Sequence, residues 1–495
     1  MNTPTAVPDV VALDGVLPGN KEILGGKAYS VNKMRALGLP VPPAFALPIH
    51  VCDIYHGNDR ALPEHIWQQV LAQLRALEIE TGRTFGAGPS PLLVSVRSGA
   101  AQSMPGMMDT VLNLGLTPAL RDALAIETGN APWAADTWNR FRDSYTHIVT
   151  GMPGTEPPAD PCQQLRAAIG AVFDSWTNER VRAYRERHGL GAGGGTAVTV
   201  QAMVFGNRDD RSGTGVVFSR DPATGENVLY GEWLDRAQGE DVVSGEKTPL
   251  EVRALRADRP ELYAEIERIA ALLEAEHNDL VDIEFTVESD RLYVLQSRAG
   301  KRSPAAAVRI AVDLARTGVI SKEEAVQRIS TEQAEKLASG GGSRTDLPVL
   351  ATGTAAGLGV AVGQAVDDID RALELAARGV PVVLVRPSTS PADVPAMFES
   401  IAVVTELGGS TSHAALVCRE IGLPCVVGCG TGAMAALAGR TVTVDGASGT
   451  VFDGDARDTS DTGIDDHLAE LLSYLPAPIP PGHPLAALAV LLERA

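Results

Sequence analysis

A tract of glycine and serine at residues 337–344 divides this chain of 495 residues into a large N-terminal block and a smaller C-terminal block. Its sequence, Leu-Ala-Ser-Gly-Gly-Gly-Ser-Arg, is typical of a flexible linker and not of a helix or strand. Residues 303–335, directly before it, have the apolar spacing and the composition of helices. With 44% hydrophobic residues, the chain has enough apolar surface for two or three cores. We therefore expect a multidomain protein with a helix-flanked hinge.

Charge and composition exclude several classes of partner. The formal charge of −20 argues against nucleic acid and against an anionic membrane, because clustered Lys and Arg bind phosphate backbones. The sequence has no run of about 18 apolar residues and no secretory signal at its start, which predicts a cytoplasmic protein without a membrane span. The five cysteines are an odd number and lack the paired spacing of a zinc site, so we expect reduced thiols.

The C-terminal block alternates short β-branched runs with helical segments. The predicted strands are 382–385, 401–404, 425–427 and 441–444, and the predicted helices are 367–378 and 413–421. This alternation predicts a compact α/β module of roughly 100 residues, a usual domain size. An acidic linker follows through residue 466, and then short amphipathic helices are predicted at 468–475 and 485–492.

The N-terminal block mixes strands and helices in a less regular order. Strands are predicted at 92–96, 197–200, 215–218 and 292–295, and helices fill much of 60–81 and 161–187. The fold class predicted for the whole chain is therefore α/β and α+β, in several domains.

The strongest signal for chemistry is the sequence Leu-Gly-Gly-Ser-Thr-Ser-His-Ala-Ala at residues 407–415, between a predicted strand and a predicted helix. Thr411 and Ser412 are natural N-caps, so His413 falls in the first helical turn, beside free backbone N–H groups and the positive end of the helix dipole. This environment suits a phosphoryl group, and the paired glycines let the backbone approach an anion closely. The alternative is a capping histidine in an ordinary glycine turn.

A second signal is a predicted hairpin that ends near residue 298. Asp282 and Glu284 project from one face of its first strand, and Gln296 and Arg298 share one face of its second strand. Two carboxylates, an amide oxygen and a guanidinium are groups that bind a Mg²⁺-bridged triphosphate. The alternative is a solvated strand face with an arginine–carboxylate pair.

Two further basic side chains lie in glycine-rich sequence. Lys27 follows two glycines and Arg97 follows a predicted strand, so each could reach a phosphate. Residues 101–109, rich in Met, Pro and Gly, could close over a nucleotide, although methionines more often pack a core. Three further segments, 212–215, 219–222 and 237–240, are either walls of a binding site or turns. Residues 428–433 come near a dinucleotide-binding fingerprint, and a tight strand-to-helix turn explains them as well.

Taken in order, these segments resemble the PEP-utilising enzymes, and in particular the pyruvate, phosphate dikinase family. The resemblance covers roughly residues 24–454, and its motifs lie at 25–27, 37–43, 94–116, 212–245, 282–302 and 411–430. It implies an ATP-grasp nucleotide-binding domain at 1–336, a linker at 337–348, a swivelling phosphohistidine domain at 349–455 and a short helical tail at 456–495. The family's barrel domain, which binds pyruvate or phosphoenolpyruvate, has no counterpart in this resemblance.

The resemblance also implies roles for individual residues. His413 would carry the phosphoryl group, with Thr411 taking part in catalysis beside it. The nucleotide and its Mg²⁺ would be bound by a set of polar side chains: Lys27, Arg97 and Arg298 at the phosphates, Thr214, Glu240 and Asp282 around the nucleotide, and Glu284 and Gln296 at the metal. One departure is Leu407, which stands where many relatives have an arginine, so one contact to the histidine-bound phosphate is lost.

The activity that the resemblance implies is phosphotransfer from the β-phosphate of ATP to His413, with AMP as product. Inorganic phosphate would be the second acceptor and would yield pyrophosphate. Pyruvate on a separate acceptor protein, or another small molecule, would then receive the phosphoryl group from His413. A homodimer is one option for the assembly. The alternative function is a non-catalytic or regulatory ATP-binding protein.

Overall fold

The computed structural model describes most of the chain, namely residues 7–16, 20–101, 109–152, 154–187, 194–239, 241, 249–338, 342–343, 346–410, 412–458 and 466–475. By its internal contacts the chain divides into two units. The first comprises residues 1–213 and 285–297, and the second comprises residues 214–284 and 298–495. The linker predicted at 337–348 lies within the second unit, and the boundaries of the four predicted domains stay predictions.

The glycine tract contains more regular structure than its sequence predicts. Helix Thr331–Ala338 extends into it, and Gly342–Ser343 forms a short strand antiparallel to Arg457–Asp458. The physical reason is that strand pairing uses only backbone N–H and C=O groups, which glycine and serine also provide. The segments on either side of the C-terminal module therefore run next to each other as a two-stranded ribbon.

The first unit is built on a five-stranded antiparallel sheet. Its strands, in spatial order, are Val11–Ala12, Ala44–Leu47, Ala197–Ala202, Val94–Gly99 and Thr110–Leu114. The two strands Ala44–Leu47 and Ala197–Ala202 are buried along their whole length. Two shorter strands, Thr84–Phe85 and Pro91–Leu92, pair in parallel.

Helices surround this sheet. Their bounds are Lys21–Ala36, Ile49–Gly57, Glu64–Thr81, Pro118–Thr128, Ala131–Tyr145, Pro161–Ser175 and Glu179–Arg187, with a π-helical turn at Thr146–Thr150. Thr117, Asn130 and Asp160 each cap a helix that has proline in its first turn, the usual start signal. The helix predicted over 161–187 is interrupted at residues 176–178, after the buried Ser175.

A second five-stranded sheet has the order Leu250–Glu251, Tyr230–Asp235, Gly213–Phe218, Val281–Glu288 and Arg291–Ala299. Strand Leu250–Glu251 is followed in the chain by a 3₁₀ turn at Val252–Ala254. The helices between this turn and the C-terminal module are Leu255–Asp258, Pro260–His277, Pro304–Arg316, Lys322–Gln327 and Thr331–Ala338. Pro304–Arg316 is apolar on one side and buries Ile310 and Leu314.

The predicted tail helix is present as Asp466–Ser473. Its Leu468, Leu471 and Leu472 belong to the core that contains helix Pro304–Arg316. The predicted helix at 485–492 lies outside the described residues. Within the described parts of the chain, no helix has the length and apolar character needed to cross a membrane.

The C-terminal module is an eight-stranded mixed sheet, as its α/β pattern predicts. Its order is Val349–Thr352, Thr450–Asp453, Thr441–Asp445, Val360–Val366, Val382–Arg386, Ala402–Thr405, Cys425–Val427 and Thr354–Gly357. The four strands from Val360–Val366 to Cys425–Val427 run parallel, and the strands outside them are antiparallel. The helices are Ile369–Ala377, Val394–Glu399, His413–Ile421 and Ala433–Leu437, with a 3₁₀ turn at Pro391–Asp393. All five cysteines of the chain are free thiols, as predicted.

Candidate functional site

His413 is the first residue of helix His413–Ile421, which connects the parallel strands Ala402–Thr405 and Cys425–Val427. A chain that leaves a parallel strand at its carboxyl end and enters a helix places its connecting loop at one edge of the sheet. Ligands of open α/β sheets bind at this edge. The fold therefore places His413 where a reactive side chain can meet a ligand.

The local sequence explains why the helix starts here. The Ser412 side chain accepts a hydrogen bond of 3.4 Å from the backbone N–H of Ala415, which caps the helix. Gly422 ends the helix in the left-handed conformation, with φ of 73°. The predicted catalytic residue Thr411 lies outside the described residues.

The two ring nitrogens of His413 have different surroundings. Nδ1 lies 2.9 Å from Oγ1 of Thr389, a hydrogen bond. Nε2 is buried, and no described residue offers it a hydrogen-bond partner. Thr389 follows the neighbouring parallel strand Val382–Arg386, so both side chains come from the same edge of the sheet. One nitrogen is thus held in place by a hydroxyl group, and the other is buried without a hydrogen-bond partner among the described residues.

The electrostatic environment favours a neutral imidazole. Burial lowers the pKa of His413 below its ordinary value, and the negative charge of Asp393 opposes this by raising it. Asp393 itself is held firmly, because it accepts hydrogen bonds from the backbone N–H and the hydroxyl of Ser390 and pairs with Arg386 at 3.0 Å. At neutral pH the ring is therefore a nucleophile and not a cation.

A crevice beside the histidine is too narrow to admit a water molecule. The side chains around it provide several hydroxyl groups, and its lining residues are Ser388, Thr389, Thr405, Leu407, Ser412, His413 and Ala414. Leu407 is 39% exposed, although it is a large apolar side chain. Beside the histidine the chain thus offers hydroxyl donors. Leu407 stands at the position where the resemblance implies an arginine.

The loop before the histidine binds a carboxylate from the second five-stranded sheet. Glu232, on strand Tyr230–Asp235, accepts a very short hydrogen bond through Oε1 from the backbone N–H of Ser410. A Cβ atom on Gly409 would overlap the same carboxylate, so only glycine allows this approach. The glycines of the loop therefore do let an anion approach the backbone, and in this arrangement the anion is Glu232.

The predicted hairpin is formed by strands Val281–Glu288 and Arg291–Ala299. Its two turn residues, Ser289 and Asp290, have φ of 50° and 66°, the left-handed pair of a tight hairpin turn. Near the open end, Nε of Arg298 donates to Oδ2 of Asp282 at 2.8 Å, and Asp282 is 5% exposed. The other oxygen, Asp282 Oδ1, is buried without a hydrogen-bond partner among the described residues. The structure thus brings two of the predicted nucleotide residues into contact.

The other residues predicted to bind the nucleotide or its metal in this region are Glu284, Gln296, Thr214 and Glu240. Glu284 is half-buried two residues after Asp282, and Gln296 is two residues before Arg298. Thr214 is buried in strand Gly213–Phe218. Glu240 lies outside the described residues, as do residues 102–108 of the closing loop predicted at 101–109.

The donor set suits Mg²⁺, although it is small. Among the described residues there is no cluster of three or more His, Cys, Asp and Glu side chains that could hold a metal ion. Glu284 and Gln296 offer oxygen atoms, which are the ligands that Mg²⁺ prefers, and the partnerless Oδ1 of Asp282 is a third oxygen on the same hairpin. A nucleotide-bound Mg²⁺ takes other ligands from phosphates and water, so few protein oxygens suffice.

In the first unit, the structure places Lys27 beside the strand that carries Arg97. Gly25, with φ of 73°, kinks helix Lys21–Ala36, and a Cβ atom there would overlap the carbonyl oxygen of Gly99. The backbone N–H of Gly26 donates to the carbonyl of the residue after this strand at 2.9 Å. This close approach requires glycine and places Lys27 next to the end of the strand that contains Arg97.

Two of the weaker sequence signals have a structural explanation. Glu406 Oε1 accepts hydrogen bonds of 2.8 and 2.9 Å from the backbone N–H groups of Gly432 and Met434. The glycine-rich segment 428–433 is therefore a strand-to-helix turn whose helix end is already capped by a carboxylate. Arg220 pairs with Glu274 at 2.9 Å and with Asp313 at 3.0 Å, which is a structural network.

Sequence reasoning missed Thr389, Asp393, Glu232 and Arg419, a guanidinium described below. Thr389 and Asp393 lie 24 and 20 residues before His413 in the sequence, and only the parallel pairing of strands Val382–Arg386 and Ala402–Thr405 brings them close. The sequence did contain one signal for Thr389, namely the pair Ser388-Thr389 directly after a buried strand. Residues in such positions lie at the edge of a parallel sheet where ligands bind.

Comparison with known families assigns both halves of the chain. Residues 58–262 match the family described as "Pyruvate phosphate dikinase, AMP/ATP-binding domain". Residues 379–449 match the family described as "PEP-utilising enzyme, mobile domain". The two matches lie on either side of the glycine tract, in the same order as the predicted domains.

Curated relatives agree with the family matches. The chain is 40% identical to pyruvate, phosphate dikinase of Rhizobium meliloti (strain 1021), over 88% of this chain and 56% of the relative. It is 37% identical to the Clostridium symbiosum protein of that name, over 88% and 56%. It is 40% identical to the chloroplastic Flaveria pringlei protein, over 83% and 48%. The chain spans about half the length of these relatives, and it belongs to the pyruvate, phosphate dikinase family of enzymes.

Proposed function

We propose that this chain transfers the β-phosphoryl group of ATP to His413, as the ATP-dependent half of a dikinase reaction. The observation that supports this most is the asymmetry of the His413 ring. Its Nδ1 is bonded to Thr389, and its Nε2 is buried without a partner among the described residues. A histidine that only capped a helix would not need this arrangement.

Nε2 is the nucleophile in this proposal. Nδ1 carries the proton and donates it in a hydrogen bond to Thr389 Oγ1, which leaves the lone pair on Nε2. That lone pair forms the bond to the β-phosphorus, and the bond from this phosphorus to the oxygen bridging the α-phosphate breaks. AMP leaves with the electron pair, and the ring, now positively charged, is stabilised through Nδ1–H and Thr389.

Inorganic phosphate then attacks the γ-phosphorus of the group on His413. The bond from this phosphorus to the βγ-bridging oxygen breaks, pyrophosphate leaves, and the β-phosphoryl group stays on Nε2. The acceptor of that group is pyruvate, bound outside the two matched domains on a separate acceptor protein, or another small molecule.

The nucleotide residues keep the roles that the family pattern suggests. Lys27 and Arg97 neutralise phosphate charge, and Arg298, oriented by its 2.8 Å bond to Asp282, presents a guanidinium in fixed geometry. Thr214 and Glu240 line the nucleotide. Thr411 assists at the histidine.

Glu284 and Gln296 would hold Mg²⁺, which would withdraw charge from the phosphates when it is bound. The protein residues themselves bind and orient the triphosphate. The partnerless Oδ1 of Asp282 supports a bound group at this position, because a buried carboxylate oxygen is costly without a partner.

The hinge of the C-terminal module is the ribbon formed by Gly342–Ser343 and Arg457–Asp458. Two short paired strands can twist while keeping their backbone hydrogen bonds. We propose that the module turns about this ribbon to carry the phosphoryl group to its acceptor.

The test is incubation of the purified chain with β-³²P-ATP, phosphate and Mg²⁺. Acid-labile label on the wild type and none on His413→Asn is the expected result, with AMP and pyrophosphate as products. Unchanged labelling of His413→Asn would refute the assignment. Nucleotide binding without any labelling of the wild type would favour the regulatory alternative. Phosphoenolpyruvate formed from added pyruvate only in the presence of cell extract would indicate a separate acceptor protein.

A further inference from the structure

Arg419 lies on the same helix as His413, six residues later. The guanidinium carbon lies 5.2 Å from the centre of the Phe218 ring, on a strand of the second five-stranded sheet. Nε makes a long bond of 3.3 Å to the carbonyl of Ala415 within the helix. The helix that carries the histidine thus also carries a guanidinium toward the nucleotide residues.

Charged groups of the nucleotide region act electrostatically on this guanidinium. Burial lowers the pKa of Arg419, the charges of Asp282 and Glu232 raise it, and that of Arg298 lowers it. Asp282 and Arg298 are the ion pair that the proposed function assigns to the nucleotide. Phe218, the ring beneath the guanidinium, lies on strand Gly213–Phe218, which is the neighbour of the strand that carries Asp282.

The hydrogen bonding of this cluster is incomplete on both sides. Arg419 Nη2 is buried without a hydrogen-bond partner among the described residues, and so is Asp282 Oδ1. Buried guanidinium and carboxylate groups normally use their donors and acceptors, because leaving them unpaired is costly. An unpaired donor fits an anionic group of a ligand, and an unpaired acceptor fits a cationic group.

We propose that Arg419 is a further phosphate-binding residue, which reaches the triphosphate together with His413 when the C-terminal module is docked. This inference rests on the proposed function and adds a catalytic residue to it. The two side chains share one helix, so docking the nucleophile also brings the guanidinium, and undocking removes both. Charge stabilisation is thereby present only while the nucleophile is present, as with an arginine supplied by a second domain.

The test measures the rate of His413 labelling from β-³²P-ATP in a single turnover. Arg419→Met keeps an unbranched stem that can pack on Phe218 but has no charge, and Arg419→Lys keeps only a point charge. We expect the methionine variant to label at least about 100-fold more slowly, with ATP affinity changed less than about threefold. The lysine variant should fall between it and the wild type.

Two controls separate catalysis from packing. Added guanidinium ion, at concentrations far below denaturing, should restore part of the labelling of Arg419→Ala, because it can occupy the place of the lost group. Arg378→Met, at an arginine that is 64% exposed in the same module, should label at the wild-type rate.

The outcomes separate the inference from the proposed function. A wild type that takes no label from ATP overturns the proposed function and this inference with it. A wild type that is labelled, together with Arg419→Met labelled at the same rate, overturns the inference alone. Slow labelling of Arg419→Met with a lowered melting temperature, and no guanidinium rescue of Arg419→Ala, assigns Arg419 to packing and also overturns it.

Discussion

Replacing Thr389 with valine tests how the histidine is held. Valine has nearly the shape of threonine but lacks the hydroxyl that lies 2.9 Å from His413 Nδ1. The crevice and the helix should therefore stay intact, and only the hydrogen bond to the ring is removed. In the proposed reaction the ring becomes positively charged as Nε2 attacks, so the lost bond is one to a charged donor.

The size of the effect follows from that change. A hydrogen bond to a charged group contributes about 1.5–3 kcal/mol, and Thr389 is only 7% exposed, so water replaces the hydroxyl poorly. Each 1.36 kcal/mol corresponds to tenfold in rate. We therefore expect labelling of His413 by β-³²P-ATP to slow by about 10- to 150-fold.

The assay is rapid-quench labelling at saturating ATP, with Thr389→Ser as the matched control. Serine keeps the hydroxyl and should label within about threefold of the wild type, because only a methyl group is lost. Binding of ATP should be unchanged in both variants. Labelling of the valine variant at the wild-type rate would refute the role assigned to Thr389.

Three further predictions follow from the same contacts. Burial lowers the pKa of His413, so the neutral imidazole persists to lower pH. The fall of the labelling rate on the acidic side should therefore have its midpoint below the ordinary histidine pKa of 6.5. A midpoint above that value would contradict the prediction. In Gly409→Ala the new Cβ should displace the Glu232 carboxylate and break its hydrogen bond to the Ser410 N–H, so hydrogen exchange of that amide should become roughly tenfold faster. Gly239→Ala is the control, because Gly239 has open space around it, and it should leave this exchange rate unchanged. Arg220→Met should lower the free energy of unfolding by about 3 kcal/mol in thermal unfolding, because Glu274 and Asp313 lose the arginine that pairs with them. As a control, Arg371→Met at an exposed arginine should change it by less than about 0.5 kcal/mol. Equal effects of the two substitutions would refute the network.

Much of the local structure could be predicted because its signals are local. The helix His413–Ile421 begins after an N-cap serine and ends at Gly422, and both signals are in the sequence. The hairpin turn at residues 289–290 was expected from the polar residues between two alternating strands.

The parts that could not be predicted depend on contacts between distant segments. Glu232 meets the Ser410 backbone across 178 positions of sequence, and no local pattern marks either residue as a partner of the other. The same holds for Thr389 and His413, which only the parallel strand order brings together. The strand at Gly342–Ser343 was missed for a related reason, since it exists through its partner strand and not through its own composition.

The most direct test of the account compares two labels of ATP in the presence of inorganic phosphate. The account predicts that label from the β-position stays on the peptide that contains His413, while label from the γ-position leaves in pyrophosphate. Label that leaves from the β-position in ADP, with the γ-phosphoryl group on the protein, would contradict it.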